Sequence, residues 1–338
     1  MVANSLFYFI RRIQIRYLNK GKIGEVCHIN TNAQYILVQM KTIIFSMFFA
    51  VSLCSGFAQP IPPDSLYLGQ TPPYGTAKIF ASGRLASSGN WAGERIAISS
   101  DNKEIYYSEI TGGWGLPNSS TRIKYYKFYN NTWNGPFILF ENYYGPTFST
   151  EGNIMYFHGG GNYDIWYSTR SKNGWDVPAL LGKGLYYYQV TNPGNEYVGS
   201  IDSIGGVGDW DVCQMKDKKI RSLGKPLNSS SNDVEFFIAK DESFIITSKN
   251  ESSNNRDLYI SLRQPDKTWT NPVELITSKN DSLAFRWGPY VTSDNKYLFY
   301  TRGTSSKSTY LYWMRFDNLL DSLKQVTNFT LGKNNTKQ

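Results

Sequence analysis

The sequence predicts an all-β fold, a β-propeller with five recognisable four-stranded blades. The main observation is a segment that recurs along most of the chain: an apolar stretch, a tight turn and a short strand rich in β-forming residues. A strand that opens with aspartate and a stretch that ends in proline recur as well. All three recur at intervals of roughly 40–50 residues, which is the length of one propeller blade.

The tight turn is the first landmark of the repeat. Aligning the repeats places five residues, 42 to 53 residues apart, at one turn position: Asp101, Glu151, Pro193, Asp241 and Asp294. The next position is glycine or asparagine in four of the five repeats and glutamate at Glu242. Glycine and asparagine adopt the left-handed backbone most readily. The pattern therefore predicts a hairpin turn between two antiparallel strands in each repeat.

The other two landmarks follow at the same period. Asp164, Asp211 and Asp257 open strands of alternating polarity. The stretches that close the unit end in proline at four positions: Pro136, Pro178, Pro226 and Pro272. A single four-stranded sheet cannot bury both faces, so such sheets pack against their neighbours around an axis. We expect many of the Trp and Tyr side chains to fill the spaces between sheets.

Two segments lie outside the regular repeat. Residues 60–90 precede the first recognisable blade. They either supply a strand that closes the ring or form a degenerate sixth blade. Residues 316–324 are predicted to form one short terminal helix.

The repeat resembles a known family. Ser-x-Asp-Asn-Lys before an aromatic strand, then Asp257-Leu-Tyr-Ile-Ser261, then Trp269-Thr-Asn-Pro272, is similar to the WD40-like propeller repeat of TolB-type proteins. It most resembles the exported versions common in Bacteroidetes-like bacteria, over roughly residues 66–325. The usual Pro-Asp-Gly turn is replaced, and the third repeat lacks its aspartate. The resemblance implies a periplasmic or cell-surface propeller and no particular activity, because this fold carries many functions.

The N-terminal region predicts export. Residues 40–58 contain one lysine, a short apolar core and small residues at Gly56 and Ala58, which is typical of a secretory signal peptide cleaved after Ala58. An uncleaved membrane anchor is the alternative. We interpret residues 1–39 as an over-extended leader, 59–90 as an N-terminal segment with ring closure, and 91–338 as the propeller. The expected location is periplasmic, extracellular or at the cell surface.

Charge and cysteine content limit the kinds of partner and of covalent cross-link that we expect for this protein. Of the formal charge of +8, residues 1–39 contribute +4 and Lys41 contributes +1, so the predicted mature chain carries about +3. No basic stripe remains for phosphate binding, so a nucleic-acid partner is not expected. Cys213 is the single cysteine after Ala58, which excludes an intramolecular disulfide in the mature chain.

The sequence contains no recognisable catalytic set. His158 is the one histidine of the predicted mature chain, and no Gly-x-Ser-x-Gly elbow accompanies it. We interpret it as a loop histidine at a strand end, and we expect neither a metal nor a cofactor. The candidates for a binding surface are His158 and four aromatic residues predicted to lie in loops: Trp91, Trp114, Tyr144 and Tyr187. Packing between blades is the alternative role for each of the aromatic residues.

Carboxylates support a second functional hypothesis. Because Asp164, Asp211 and Asp257 recur at one blade position, a repeated structural hydrogen bond explains them better than catalysis. Acids that do not recur, Glu94, Glu141 and Glu196, are candidates for a carbohydrate-active enzyme. The favoured function is a non-enzymatic, exported propeller that binds a protein or a polysaccharide at one face. The alternative is a glycoside hydrolase-like propeller.

Overall fold

The computed structural model describes residues 61–325, apart from 113–118, 160–162, 234, 253–254, 276–284 and 305–307. These residues belong to one compact unit, Pro60–Gln338. The predicted leader and signal peptide lie outside the described residues. Among the described residues, none of the helices has the length and apolar character needed to cross a membrane.

The described chain is all-β and contains several four-stranded antiparallel sheets. After the short strand β1 (Lys78–Ile79), the first sheet comprises β2 (Asn90–Ile98), β3 (Glu104–Thr111), β4 (Ser120–Tyr129) and β5 (Thr132–Glu141). The second sheet comprises β6 (Tyr143–Phe148), β7 (Ile154–Gly159), β8 (Asp164–Ser171), β9 (Gly174–Trp175) and β10 (Ala179–Gly182). The third sheet comprises β11 (Tyr186–Val190), β12 (Glu196–Ser200), β13 (Asp211–Lys216) and β14 (Lys219–Ser222).

The remaining strands form one eight-stranded sheet with two antiparallel halves. One half comprises β15 (Glu235–Ile238), β16 (Phe244–Ser252), β17 (Asn255–Leu262) and β18 (Val273–Glu274). The other comprises β19 (Phe285–Val291), β20 (Tyr297–Gly303), β21 (Tyr310–Arg315) and β1. The halves meet at one parallel pairing, Arg256 with Phe285. Strand β1 pairs antiparallel with β21, so the N-terminal segment completes the sheet that the C-terminal strands begin.

The segments outside the sheets are short. The described part of the N-terminal segment, residues 61–89, contributes a 3-10 turn, a short helical turn and the single strand β1, whereas a further blade would need four strands. The terminal helix spans residues 317–325, close to the predicted 316–324. Phe316 and Leu320 bury the start of this helix against Phe244 and Leu262.

The predicted hairpin turns are confirmed. The residue after each aligned turn position adopts a left-handed backbone, with φ between 57° and 81°. These residues are Asn102, Gly152, Gly194, Glu242 and Asn295. Each turn joins the first strand of a sheet to its antiparallel neighbour. Even glutamate adopts this conformation at Glu242, so the strand pairing on either side of the turn outweighs the residue's own preference.

The first strands follow one another around a closed circuit. Strand β2 contacts β6, β6 contacts β11, β11 contacts β15, β15 contacts β19, and β19 contacts β2. The core lies between consecutive sheets rather than within one of them. Tyr106 of the first sheet packs with Phe148 of the second, for example, and Tyr187 of the third packs with Phe236 of β15. This arrangement directs the first strands toward a common axis, which is where the candidate site lies.

Candidate functional site

Irregularities in the first strands shape the centre of the circuit. Four of these strands contain a residue with positive φ beside a shift in strand register: Glu94, Gly145, Tyr187 and Gly288. Glycine is the expected residue in this conformation, and a larger residue pays about 1–2 kcal/mol for it. Such backbone strain tends to persist at functional positions. In this protein the two larger residues, Glu94 and Tyr187, contact each other.

Glu94 is held by residues from three other strands. The Tyr187 hydroxyl donates a hydrogen bond to its Oε2 at 3.0 Å, and the Trp287 indole nitrogen donates to its Oε1 at 3.1 Å. The Thr301 hydroxyl donates to the Glu94 backbone carbonyl at 2.8 Å. The glutamate side chain is therefore fixed by β11 and β19, and its backbone by β20. Positions 94 and 301 are far apart in the sequence. These groups meet because the first strands form a closed circuit.

Burial determines the ionisation of Glu94. Removal from water, followed by the nearby charge of Glu235, raises the pKa of Glu94 from 4.5 to about 8. The hydrogen bonds from Tyr187 and Trp287, and the charge of Arg256, oppose this shift. At neutral pH the side chain is consequently a neutral carboxylic acid, which can both donate and accept hydrogen bonds.

A second carboxylate faces the same cavity and is paired. Glu235, the first residue of β15, forms an ion pair with Arg256 of β17 at 2.8 Å. The charge of Glu235 is the leading cause that raises the pKa of Arg256. The pair contributes no net charge, so the polar wall of the cavity is close to neutral.

Arg95 is buried behind Tyr187. Its guanidinium lies 4.2 Å from the centre of the Tyr187 ring and donates to the backbone carbonyl of Phe236. Burial lowers the pKa of Arg95 to about 10, which leaves it charged at neutral pH. The residue is 1% exposed and does not line the cavity, so its charge does not face a ligand there.

These groups surround a cavity of about 410 Å³. Its wall combines aromatic rings with carboxyl, guanidinium and hydroxyl groups. The main aromatic and charged lining residues are Trp91, Glu94, Tyr186, Glu235, Arg256 and Trp287. The Trp91 and Trp287 rings pack edge to face, with 6.4 Å between their centres. Cavities of this size with a few convergent polar groups are common small-molecule sites.

Of the five binding candidates from the sequence, one lines this cavity and three lie behind its lining. Trp91 lines it, and Tyr187 binds Glu94 at its floor. His158 lies behind the floor, with its ring centre 5.1 Å from that of Tyr144 and 5.4 Å from that of Tyr187. Trp114 lies outside the described residues.

The predicted loop setting of the aromatic candidates is wrong, because Trp91, Tyr144 and Tyr187 lie in β2, β6 and β11. His158 is the second-to-last residue of β7, at a strand end as predicted but not in a loop. His158 is buried, and burial, followed by the charge of Arg95, lowers its pKa well below 6.5, so the imidazole is neutral. The error arose because the bulged first strands do not show the regular alternation by which strands are recognised in a sequence.

The sequence analysis missed several residues of the site, among them Trp287, Glu235 and Arg256. They belong to no motif, and Trp287 precedes a feature that the sequence does contain. Gly145-Pro146 and Gly288-Pro289 are equivalent dipeptides in two first strands, and each glycine has positive φ. This repeated Gly-Pro dipeptide is the feature of the sequence that could have indicated bulges in the first strands.

The other carboxylates play different parts. Glu141 is exposed at the end of β5, and Glu196 accepts a hydrogen bond from the Tyr188 hydroxyl, so Glu94 is the one acid of the three that lines the cavity. Among the repeated aspartates, Asp211 accepts the backbone N–H groups of Val207 and Gly208, as a structural role predicts. Asp257 instead forms a buried ion pair with Arg286 at 2.8 Å.

Within the described ranges, no three His, Cys, Asp or Glu side chains cluster as metal ligands would.

No protein-family model and no curated protein matches the chain. Among solved structures, TolB from Acinetobacter baumannii is similar with 14% identity and a TM-score of 0.41, over 66% of this chain and 54% of TolB. The periplasmic gluconolactonase PpgL from Pseudomonas aeruginosa is similar with 9% identity and a TM-score of 0.40, over 62% of this chain and 64% of that one. The mannose phosphorylase MPT-4 from Leishmania mexicana shows 11% identity and a TM-score of 0.42, over 68% and 85%. The chain therefore spans about half the length of the TolB structure.

Proposed function

We propose that the protein is an exported, five-bladed, TolB-like propeller that binds a glycan in the cavity at the centre of one face. The closed circuit of first strands and the core between consecutive sheets support the architecture. The apolar run of residues 40–58, next to Lys41, supports export. The single observation that carries the binding function is the neutral, aromatic cavity around Glu94.

The chemistry of the wall favours a sugar. A sugar ring presents C–H groups that pack on aromatic faces, and it carries hydroxyl groups that need both donors and acceptors when buried. Trp91, Trp287 and Tyr186 supply aromatic surface. Protonated Glu94 supplies a donor and an acceptor, and the paired Glu235 and Arg256 supply further ones without net charge.

Glycan binding by a Trp287→Ala variant tests this proposal. The immobilised wild-type protein is expected to retain a subset of a glycan array, and loss of the indole to weaken that binding at least tenfold, equivalent to about 1.4 kcal/mol. Trp133→Ala is the matched control, because Trp133 is also half-buried and also donates one indole hydrogen bond, to Ser65 at 2.7 Å, but lies in β5. Equal binding by the two variants, or no glycan retained by the wild type, would contradict the proposal.

A carbohydrate-active enzyme is the second candidate, and one observation favours it. Glu94 is protonated at neutral pH while Glu235 borders the same cavity, and glycoside hydrolases use an acid and a second carboxylate. Incubating the retained glycan with the wild type and measuring new reducing ends separates the two functions. Release that Glu94→Gln abolishes supports the enzyme, whereas stable binding without release supports the binding protein.

A further inference from the structure

A groove adjoins the central cavity. This groove has a volume of about 620 Å³ and shares Trp91 and Thr309 with the cavity. It runs along the segment between β1 and β2 and along the start of β21. Besides Trp91, its main polar and aromatic lining residues are Ser82, Ser87, Ser88, Asn90 and Tyr310.

The described lining of the groove carries no charged side chain. Two charged residues beside the groove have partners of their own. Arg84 donates to the backbone carbonyl of Leu68 at 2.8 Å, and Glu109 pairs with Lys124 at 3.0 Å. Glu109 also accepts hydrogen bonds from the backbone N–H and the hydroxyl of Ser87, both at 3.1 Å, which fixes one edge of the groove. A charged ligand would lose water here without gaining an opposite charge, and that loss is costly.

The opposite end of the cavity is closed. Glu94 forms its floor, Tyr187 packs behind Glu94, and Arg95 packs on the Tyr187 ring; each of the three is at most 3% exposed. Beyond the floor, a separate cavity of about 290 Å³ lies at the turns of the first strands and shares no lining residue with the central cavity. Among the described residues, the groove therefore offers a long ligand a path out of the central cavity.

We infer that the ligand is the end of a linear, uncharged oligosaccharide, an inference that rests on the proposed glycan-binding function. The terminal unit occupies the blind cavity between Trp287 and Glu94. The following units lie past Trp91 in the groove and reach Tyr310. Specificity for a chain end follows from the closed floor, and specificity for neutral sugars follows from the uncharged wall.

Binding measured against chain length tests this inference. The probes are neutral xylo-, manno- and cello-oligosaccharides from mono- to hexasaccharide, a polygalacturonate series as the charged comparison, and a random peptide library. In the series that binds, affinity is expected to rise with each added unit until the groove is filled. The acidic series and the peptides are expected not to bind.

Two variants separate the groove from the cavity. Tyr310→Ala is expected to weaken binding of the longest neutral oligosaccharide about fivefold and to leave the monosaccharide unchanged, because one exposed aromatic contact is lost. Tyr129→Ala is the matched control, since Tyr129 is 45% exposed, Tyr310 is 43% exposed, and both lie at strand ends. Trp287→Ala is expected to weaken binding at every length.

The outcomes distinguish failure of the inference from failure of the function. Monosaccharide binding with no gain for longer chains would overturn the groove while leaving the glycan-binding function standing. Equal affinity for a chain that is blocked at both ends would overturn the chain-end assignment. Preference for polygalacturonate would overturn the neutral-ligand assignment. Binding of peptides alone, or of no probe, would overturn both the inference and the proposed function.

Discussion

Replacing Glu94 with glutamine should remove a pH dependence of stability that this side chain imposes on the protein. Glutamine matches the shape of protonated glutamate and can keep both contacts, accepting from the Trp287 indole and donating to the Tyr187 hydroxyl. It cannot ionise. Any difference between the two proteins that changes with pH therefore reports the ionisation of Glu94.

The size and sign of the effect follow from the shift in pKa. The folded protein holds the Glu94 proton up to about pH 8, whereas a pKa of 4.5 applies without the fold. Between these values the folded state binds one proton more than the unfolded state, so the free energy of unfolding falls as pH rises. A shift of this size corresponds to a total of about 5 kcal/mol, at about 1.4 kcal/mol per pH unit. The contribution is complete below pH 4.5 and is lost by about pH 8.

Urea unfolding of the wild type and Glu94→Gln at several values between about pH 5 and pH 8 measures this difference. Glutamine should make the protein progressively more stable than the wild type as pH rises. Glu141→Gln, a change at an exposed position on β5, should follow the wild-type profile. Parallel profiles for the wild type and Glu94→Gln would show that the fold does not keep Glu94 protonated. Glu94 would then not be the neutral acid that the proposed binding site requires.

Two further predictions concern the framework of the site. Gly288→Ala should destabilise the protein by more than about 3 kcal/mol and abolish glycan binding, because its methyl group would lie 2.1 Å from the Glu94 carbonyl oxygen. Gly194→Ala, which also has positive φ but no atom within 4 Å of the new methyl group, should cost only about 1–2 kcal/mol in urea unfolding. A similar loss for both would show that backbone strain, not the contact with Glu94, decides the cost at Gly288. Asp211→Asn should lower the melting temperature by roughly 5 °C, since it puts a donor where carboxylate oxygens accept from Val207, Gly208 and Ser222. Glycan binding should be unchanged, and an unchanged melting temperature would contradict the structural role of Asp211.

The sequence carried the local geometry of the repeat. A hairpin turn depends on a few adjacent residues, so its left-handed position can be recognised directly, as at Asn102 and Gly194. The aspartates that open strands and the closing prolines have the same local character. Local signals of this kind repeat along the chain, and their period is visible without knowing how the sheets pack.

The site was only partly accessible to the same reasoning. Trp91 and Tyr187 were identified as aromatic candidates, but they were assigned to loops because bulges interrupt the alternation of the first strands. Glu94 was one of three acidic candidates, and the sequence offered no criterion for choosing among the three. Trp287, Glu235 and Arg256 carried no motif, and each reaches the cavity from a different strand.

By itself, the amino-acid order determined an all-β chain of repeated hairpins, because turn and strand preferences act between neighbouring residues. Only the tertiary structure decided that Glu94, Tyr187 and Trp287 meet, that the acid is buried enough to keep its proton, and that the cavity opens into an uncharged groove. Ionisation and cavity shape depend on distances across the circuit of strands. Those distances exist only after sheets remote in sequence have packed around a common axis.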